Sequence, residues 1–432
     1  MDDILKKQAR GLRSFWGCVL TAFLLAGSPV TVWGMACDIV FPLDDEIGDG
    51  DDNNKVLNDD VPQPCGMVGN PVNLISGNKF QEEMDYTGKG VSAINLTRVY
   101  NSYDGIWRHN YSDNLSIGQF VITYVRADGT RHVFMKKGFT PLYGAAGKMS
   151  SSGSGYVYTA MDGSQLTFDS LGKLISIKDT EGLTQTLTYS ANNTVTVKNV
   201  FGQTLVMTLG MLSQLTSAKV GGLSITYHYA ADATRLLSLS KIVDGKTLTR
   251  HYHYEVSNAT WLLTGITDER GIRFATWKYD DSFRAISSEH AEGVESSRLN
   301  YKDHLTTVVT NERGKQTTYK FKEIYHSRRI VEIIGEPTPS CPYSNSKFEY
   351  DTKGRMSAKV DNMGVRSEYY YNDRDLLVRT VVAVGTNVSK ETLVEWHATF
   401  QKPVKVTTPT RITTYSYDAQ GRRVNTSVVS RV

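Results

Sequence analysis

Four oxygen-bearing side chains, Asp49, Asp51, Asn53 and Asp60, stand at offsets 1, 3, 5 and 12 of one stretch, the spacing at which a twelve-residue calcium loop places its ligands. Position six is Asn54 where such a loop needs glycine, and no amphipathic helix flanks it, so a plain solvated acidic stretch accounts for the same residues. His251 and His253 alternate in "LTRHYHYE" and share a strand face, with His228 on an earlier strand. Such a set can hold a metal, and it equally suits a solvent-facing strand. His109 in "WRHNY" sits beside Trp107 and Tyr111 and reads as a packed imidazole before it reads as an acid or base. "GNPVNLISGN", residues 69–78, has two Gly-Asn pairs eight residues apart. With no helix N-terminus after them to hold an anion, they are expected to be turns around a strand, "PVNLIS". No metalloprotease helix, phosphate loop, dinucleotide fingerprint or nucleophile elbow occurs. The expectation is a chain without cofactor and without enzymatic activity.

The elements that position these residues are strands. The chain has 432 residues, 24 of them Tyr, and Thr, Val and Tyr crowd the same segments, which suits half-buried pleated strands. From residue 118 on, short alternating runs are separated by turn signals, as in "FVITYVRADGTRHVFMKK" and "YVYTAMDGSQLTFDS", hairpins around Asp128-Gly129 and Asp162-Gly163.

Asp or Asn followed three residues later by Gly recurs at Asp169/Gly172, Asp179/Gly182, Asp268/Gly271, Asn311/Gly314, Asp351/Gly354, Asp361/Gly364 and Asp418/Gly421. The spacing predicts a type I turn in which the carboxylate accepts a nearby backbone N–H and Gly takes the left-handed conformation. Several of these glycines are followed by Lys or Arg. Tyr or Phe precedes the Asp at 168, 279, 350 and 417, and the next Tyr follows after 21 or 22 residues in three of these units. A period near 21 implies stacked modules in one continuous sheet, with Tyr350 and its equivalents stacked on their neighbours as a ladder.

At "FDSLGKLISIKDTEGLTQTLTY", "YDTKGRMSAKVDNMGVRSEYYY" and "YSYDAQGRR" the pattern resembles the tyrosine-aspartate (YD) repeats of the Rhs family. "GNPVNLISGNKFQEEMDY" with "LTRVYNS" and "WRHNY" is similar to the module preceding those repeats, and "EWHATFQKPVKVT" to a phrase between them. The resemblance covers roughly residues 65–432. It implies an all-β fold of tandem hairpins in a long spiralling sheet, a partial Rhs-type shell, with an N-terminal module at 65–117 and a repeat body at 118–432. In bacterial relatives such a shell encloses a toxin released by a protease region. The self-cleavage motif and toxin are not found in this sequence, so the expected partner is another Rhs chain or a toxin cargo.

Residues 1–36 combine a basic stretch with an apolar run and read as a secretory signal, giving an exported chain, periplasmic, cell-surface or secreted. Residues 37–64, an acidic linker, carry nine acidic groups and Lys55. The remainder is mildly basic, too thinly spread for a nucleic-acid footprint. Cys37 and Cys65 are the local disulfide candidates; lipidation of Cys37 would leave Cys65 to pair with Cys341. The expected function is a non-enzymatic exported scaffold. The alternative is a lectin-like surface protein whose tyrosines stack on a cell-surface glycan.

Overall fold

The computed structural model describes residues 66–142, 147–160, 162–324, 327–335, 344–419 and 421–431. Among these, every element is a strand except one 3-10 turn at Ala291–Gly293. No described helix is long and apolar enough to cross a membrane. The fold is all-β. Twenty-six strands, from Lys148–Ser152 to Arg423–Ser430, form one sheet in which each strand pairs with the next in sequence, always antiparallel in the registers described. This meander follows from short strands with period-two patterning joined by tight turns. Thr194–Asn199, for example, buries Val195, Val197 and Asn199 and turns Thr196 and Lys198 the other way.

Three smaller sheets precede it. Met67–Val68 pairs with Val72–Asn73; Phe80–Tyr86, Leu96–Asn101 and Ile106–His109 form a three-stranded sheet; Asn114–Ile117, Val121–Val125, Arg131–Met135 and Pro141–Leu142 form a four-stranded one. The boundary read at residues 117 and 118 therefore runs through the four-stranded sheet, and the long sheet begins thirty residues later. The strand expected at 71–76 is shorter than its apolar pattern suggested. Only Val72–Asn73 is extended, because Asn73 Oδ1 accepts the N–H groups of Ile75 and Ser76 at 2.8 and 3.0 Å and closes a local turn.

The N-terminal module lies against one face of the long sheet, here the inner face. Its hydrogen bonds reach from Gln185, which meets Tyr111, to Thr307, whose Oγ1 donates to the Leu74 carbonyl. Those two residues lie on the first and last of twelve consecutive strands, Thr184–Ser190 to Thr306–Asn311. Laid flat, twelve strands would extend about 53 Å at ~4.8 Å each, whereas a module of this length is about 25 Å across. The strip must curl around the module to touch it along its whole width.

One contiguous core results, running from Val68 through Tyr100 and Trp277 to Phe348. Beyond Phe348 the inner face continues without it. The cross-strand partners Ile333 and Ser346, Phe348 and Lys359, Tyr369 and Thr380, and Val394 and Val406 carry that face through the last strands. The opposite, outer face there holds ion pairs, Arg366 with Glu349 and Glu368, Arg379 with Glu391 and Lys405 with Glu395.

Candidate functional site

The chemistry of this chain is concentrated where the module meets the long sheet. At one end of the seam Gly77 enters a gap in the sheet. The strands Ala285–His290 and Ser297–Asp303 pair only at Ser287 with Arg298 and Ser288 with Ser297, and the Ala285 N–H is donated to the Gly77 carbonyl at 2.8 Å. The approach needs glycine: a Cβ at Gly77 would lie 2.4 Å from Arg284 Cβ, and one at Gly69 2.8 Å from Ser288 Cβ. Asn70 donates its N–H to Ser288 Oγ at 2.9 Å and accepts from Trp277 Nε1 at 3.0 Å. Lys79 is fully buried, and its ammonium lies 4.1 Å from the Trp277 ring centroid. It donates to the carbonyls of Asn70 and Phe80 and to Gln81 Oε1. Burial pushes its pKa well down while Glu83 opposes the shift. Those three acceptors match the three donors of the ammonium form.

Midway along the seam lies a buried ion cluster. Arg98 Nη2 donates to Asp85 Oδ1 at 3.0 Å and to Tyr252 Oη at 2.8 Å; Tyr227 Oη donates to Asp85 Oδ2 at 2.7 Å. The guanidinium also lies 4.7 Å from the Trp107 ring centroid and within 5.4 Å of those of Tyr227 and Tyr252. Burial works against the Arg98 charge, but the Asp85 carboxylate and the two phenols outweigh it and hold the pKa well above its ordinary value. Lys241 donates to the Asp85 carbonyl at 2.9 Å. Arg250 bridges Glu83 of the module and Glu269 of the sheet. Further out, Tyr100 Oη donates to the Trp261 carbonyl and accepts the Leu263 N–H, and Trp107 Nε1 donates to Tyr254 Oη. Asn199 and Gln203 donate to the carbonyls of Ser92 and Lys89. These groups join chain segments more than 100 residues apart; the cluster can fasten and orient.

The turn residues lie elsewhere, at both ends of the strands. Asp169, Asp179, Asp268, Asn311, Asp351 and Asp361 each accept, through Oδ1, the N–H groups two and four residues on. Asp418 accepts from Arg422. Gly172, Gly182, Gly271, Gly314, Gly354, Gly364 and Gly421 each donate an N–H to the carbonyl of the turn's Asp or Asn, all at positive φ, 83° at Gly172. Three further members of this set stand outside the seven Asp/Asn–Gly pairs, one of them Asp280, which the Tyr279-Asp280 pattern already marked. Asn199 with Gly202 has the same offset. Asp280 with Phe283 and Asn372 with Asp375 place a non-glycine in the left-handed conformation, at φ 64° and 62°, so glycine spacing could not reveal them.

The basic residue after the turn links one repeat to the next. Arg355 binds Asp351 and lies over the ring of Tyr371, whose hydroxyl donates to the carbonyl of Met356, the residue after the arginine, at 2.9 Å. Arg284 with Asp280, Tyr301 and Ala285 repeats the arrangement. Lys173 with Tyr189, Arg329 with Tyr350 and Lys402 with Tyr417 repeat it without the carboxylate pair. A hydroxyl-to-carbonyl bond under a cation thus links these repeats.

Other candidates fall apart as sites. His228 and His251 share a face with Ser238 between them, and His253 Nε2 meets Thr267 Oγ1 at 2.7 Å. No group of three His, Cys, Asp or Glu able to hold a metal occurs among the described residues. His109 is buried, its Nδ1 accepting the Tyr111 N–H, and desolvation lowers its pKa to about 4. A shallow groove of about 580 Å³ beside the Gly77 gap is lined by Lys278, Asp280, Arg284, Arg298 and several hydroxyls, without His or Cys. Asp49, Asp51, Asn53, Asp60, Cys37, Cys65 and Cys341 lie outside the described residues.

Residues 69–134 match a family model described as a domain of unknown function, DUF6531. No curated protein sequence matches the chain. Among solved structures, it is similar to the TcdB2-TccC3-TEV crystal structure at 11% identity and a TM-score of 0.32, over 84% of this chain and 21% of that one. It is also similar to the Photorhabdus luminescens Tc holotoxin pore at 11% identity and a TM-score of 0.31, over 81% and 20%. The chain spans about a fifth of the length of these structures.

Proposed function

We propose that this chain is a non-enzymatic, exported scaffold, a curved β-shell segment of toxin-related Rhs type that holds a polypeptide partner against its inner face. The observation that carries the reading is the seam: the hydrogen bonds of one small module reach from the first to the last of twelve consecutive strands, which requires them to curl around it. A sheet so curled presents a concave face, and past Phe348 that face extends beyond the shared core. The polar machinery is spent on fastening. Arg98, Asp85, Tyr227 and Tyr252 engage one another. The partner in this reading is another Rhs chain or a toxin cargo, as the sequence resemblance implies.

The test is co-expression of the full chain with the product of the adjacent reading frame, followed by size-exclusion chromatography and limited proteolysis. A stable complex in which the partner resists protease supports the scaffold. Binding of a glycan on a broad array, lost on substitution of an inner-face aromatic in a folded chain, would favour the lectin-like alternative. Turnover of any substrate by the purified chain would exclude the non-enzymatic reading.

A further inference from the structure

The last eight strands divide their charge between faces. Every carboxylate they carry, Glu349, Glu368, Glu391 and Glu395, stands on the outer face, opposite Ala358, Val381 or Lys405 across the sheet. The inner face of the same strands carries no Asp or Glu. It carries Lys359 opposite Phe348, Lys390 opposite Val382, Arg411 on the strand of Thr413, and Arg423 opposite Tyr417 and over the Tyr415 ring. Between them lie Tyr369, Tyr371 and Trp396, half-buried rather than sealed. Asp351 and Glu368 line a groove with Tyr369 and Tyr371, but the inner strand positions themselves hold cations and aromatics without an acid, a surface for an acidic, extended polypeptide.

We propose that the occupant is residues 38–64 of this same chain. That segment holds nine acidic residues and one lysine. It joins the described structure at Gly66, beside Gly69, which packs on Ser288 and Ser297 of the inner face. The strip begins about five strands away, some 24 Å, and ends near 50 Å at ~4.8 Å per strand. A 27-residue tether has a root-mean-square reach of about 29 Å and an extended limit of about 90 Å. The segment is therefore held at millimolar effective concentration over a surface of opposite charge. Seated there, it shields the strip, and any external partner has to displace it.

Carbodiimide coupling of the full chain, read by mass spectrometry, tests this, because the reagent joins only carboxylates and amines in direct contact. The expected result is coupling of carboxylates in 38–60 to Lys390 and Lys359 at several times the yield to Lys347 on the outer face. The yield should fall several-fold at 0.5 M salt and again in Arg411→Glu/Arg423→Glu, whose circular dichroism should be unchanged. Equal or greater coupling to outer-face lysines, or none to Lys390, overturns the proposal. Mixing ¹⁴N and ¹⁵N chains separates a second copy: isotopically mixed links in place of pure ones overturn the intramolecular occupant. The scaffold reading stands or falls separately, on the co-purified partner.

Discussion

Replacing Gly77 by alanine puts a methyl group into the seam at its tightest point. The new Cβ would lie 2.4 Å from Arg284 Cβ and 2.9 Å from Tyr301 Oη, on a backbone held at φ +72°. Left-handed backbone costs a non-glycine about 1–2 kcal/mol, and relieving an overpacked contact costs about 1–3 kcal/mol more. Gly364 is the matched control, since its φ is +77° and nothing lies within 4 Å of its would-be Cβ. Gly364→Ala should thus show the backbone cost alone. Urea unfolding followed by tryptophan fluorescence, which Trp107 and Trp277 on the two sides of the seam make sensitive to docking, should place Gly77→Ala below Gly364→Ala by about 1–3 kcal/mol. Early protease cleavage within residues 66–117 should accompany the loss. Equal destabilisation by the two substitutions would refute the argument that close backbone approach at Gly77 fastens the module.

Arg98→Met strands the Asp85 carboxylate in the interior and should cost about 3–5 kcal/mol; Arg98→Met/Asp85→Leu should recover much of it, which a double-mutant denaturation cycle measures. Tyr371→Phe leaves the Met356 carbonyl without its hydroxyl donor and should cost about 1 kcal/mol, read as a small shift in the urea midpoint at constant m-value. Acid should weaken the N-terminal region. Desolvation lowers both His109 and His132 to about 4 from 6.5, so the unfolded chain takes up protons first. Each histidine's contribution is complete above pH 6.5 and lost as pH falls to 4, worth at most about 3 kcal/mol. Asp113 runs the other way, raised by burial from 3.8 to about 6: it destabilises at neutral pH and is relieved between pH 6 and 3.8. It largely offsets His132, so His109→Gln should reduce the loss of unfolding free energy between pH 6.5 and 4.

Local features were legible in the sequence, and their legibility has a local cause. Asp351 bonds to Lys353 and Arg355 within its own turn, so five residues contain the whole interaction and their spacing announces it. Where the left-handed position fell to Phe283 or Asp375, the surrounding strands imposed the conformation, and no local signal marked it. The apolar run at 71–76 pointed to a strand, but Asn73 capped it after two residues. The arginine after the glycine was visible, whereas its place over a tyrosine 16 residues later was not, because that contact exists only once two strands are in register. By itself the sequence determined the all-β class, the turn chemistry and the repeat period, each set within a few bonds by backbone sterics and alternating polarity. Only the tertiary structure decided that Asp85 meets Tyr227 across 142 residues, that Gly77 fills a gap between two strands, and that the carboxylates of the last eight strands all stand on the outer face. Those outcomes depend on how the meander curls around its module, a long-range packing that no local stretch encodes.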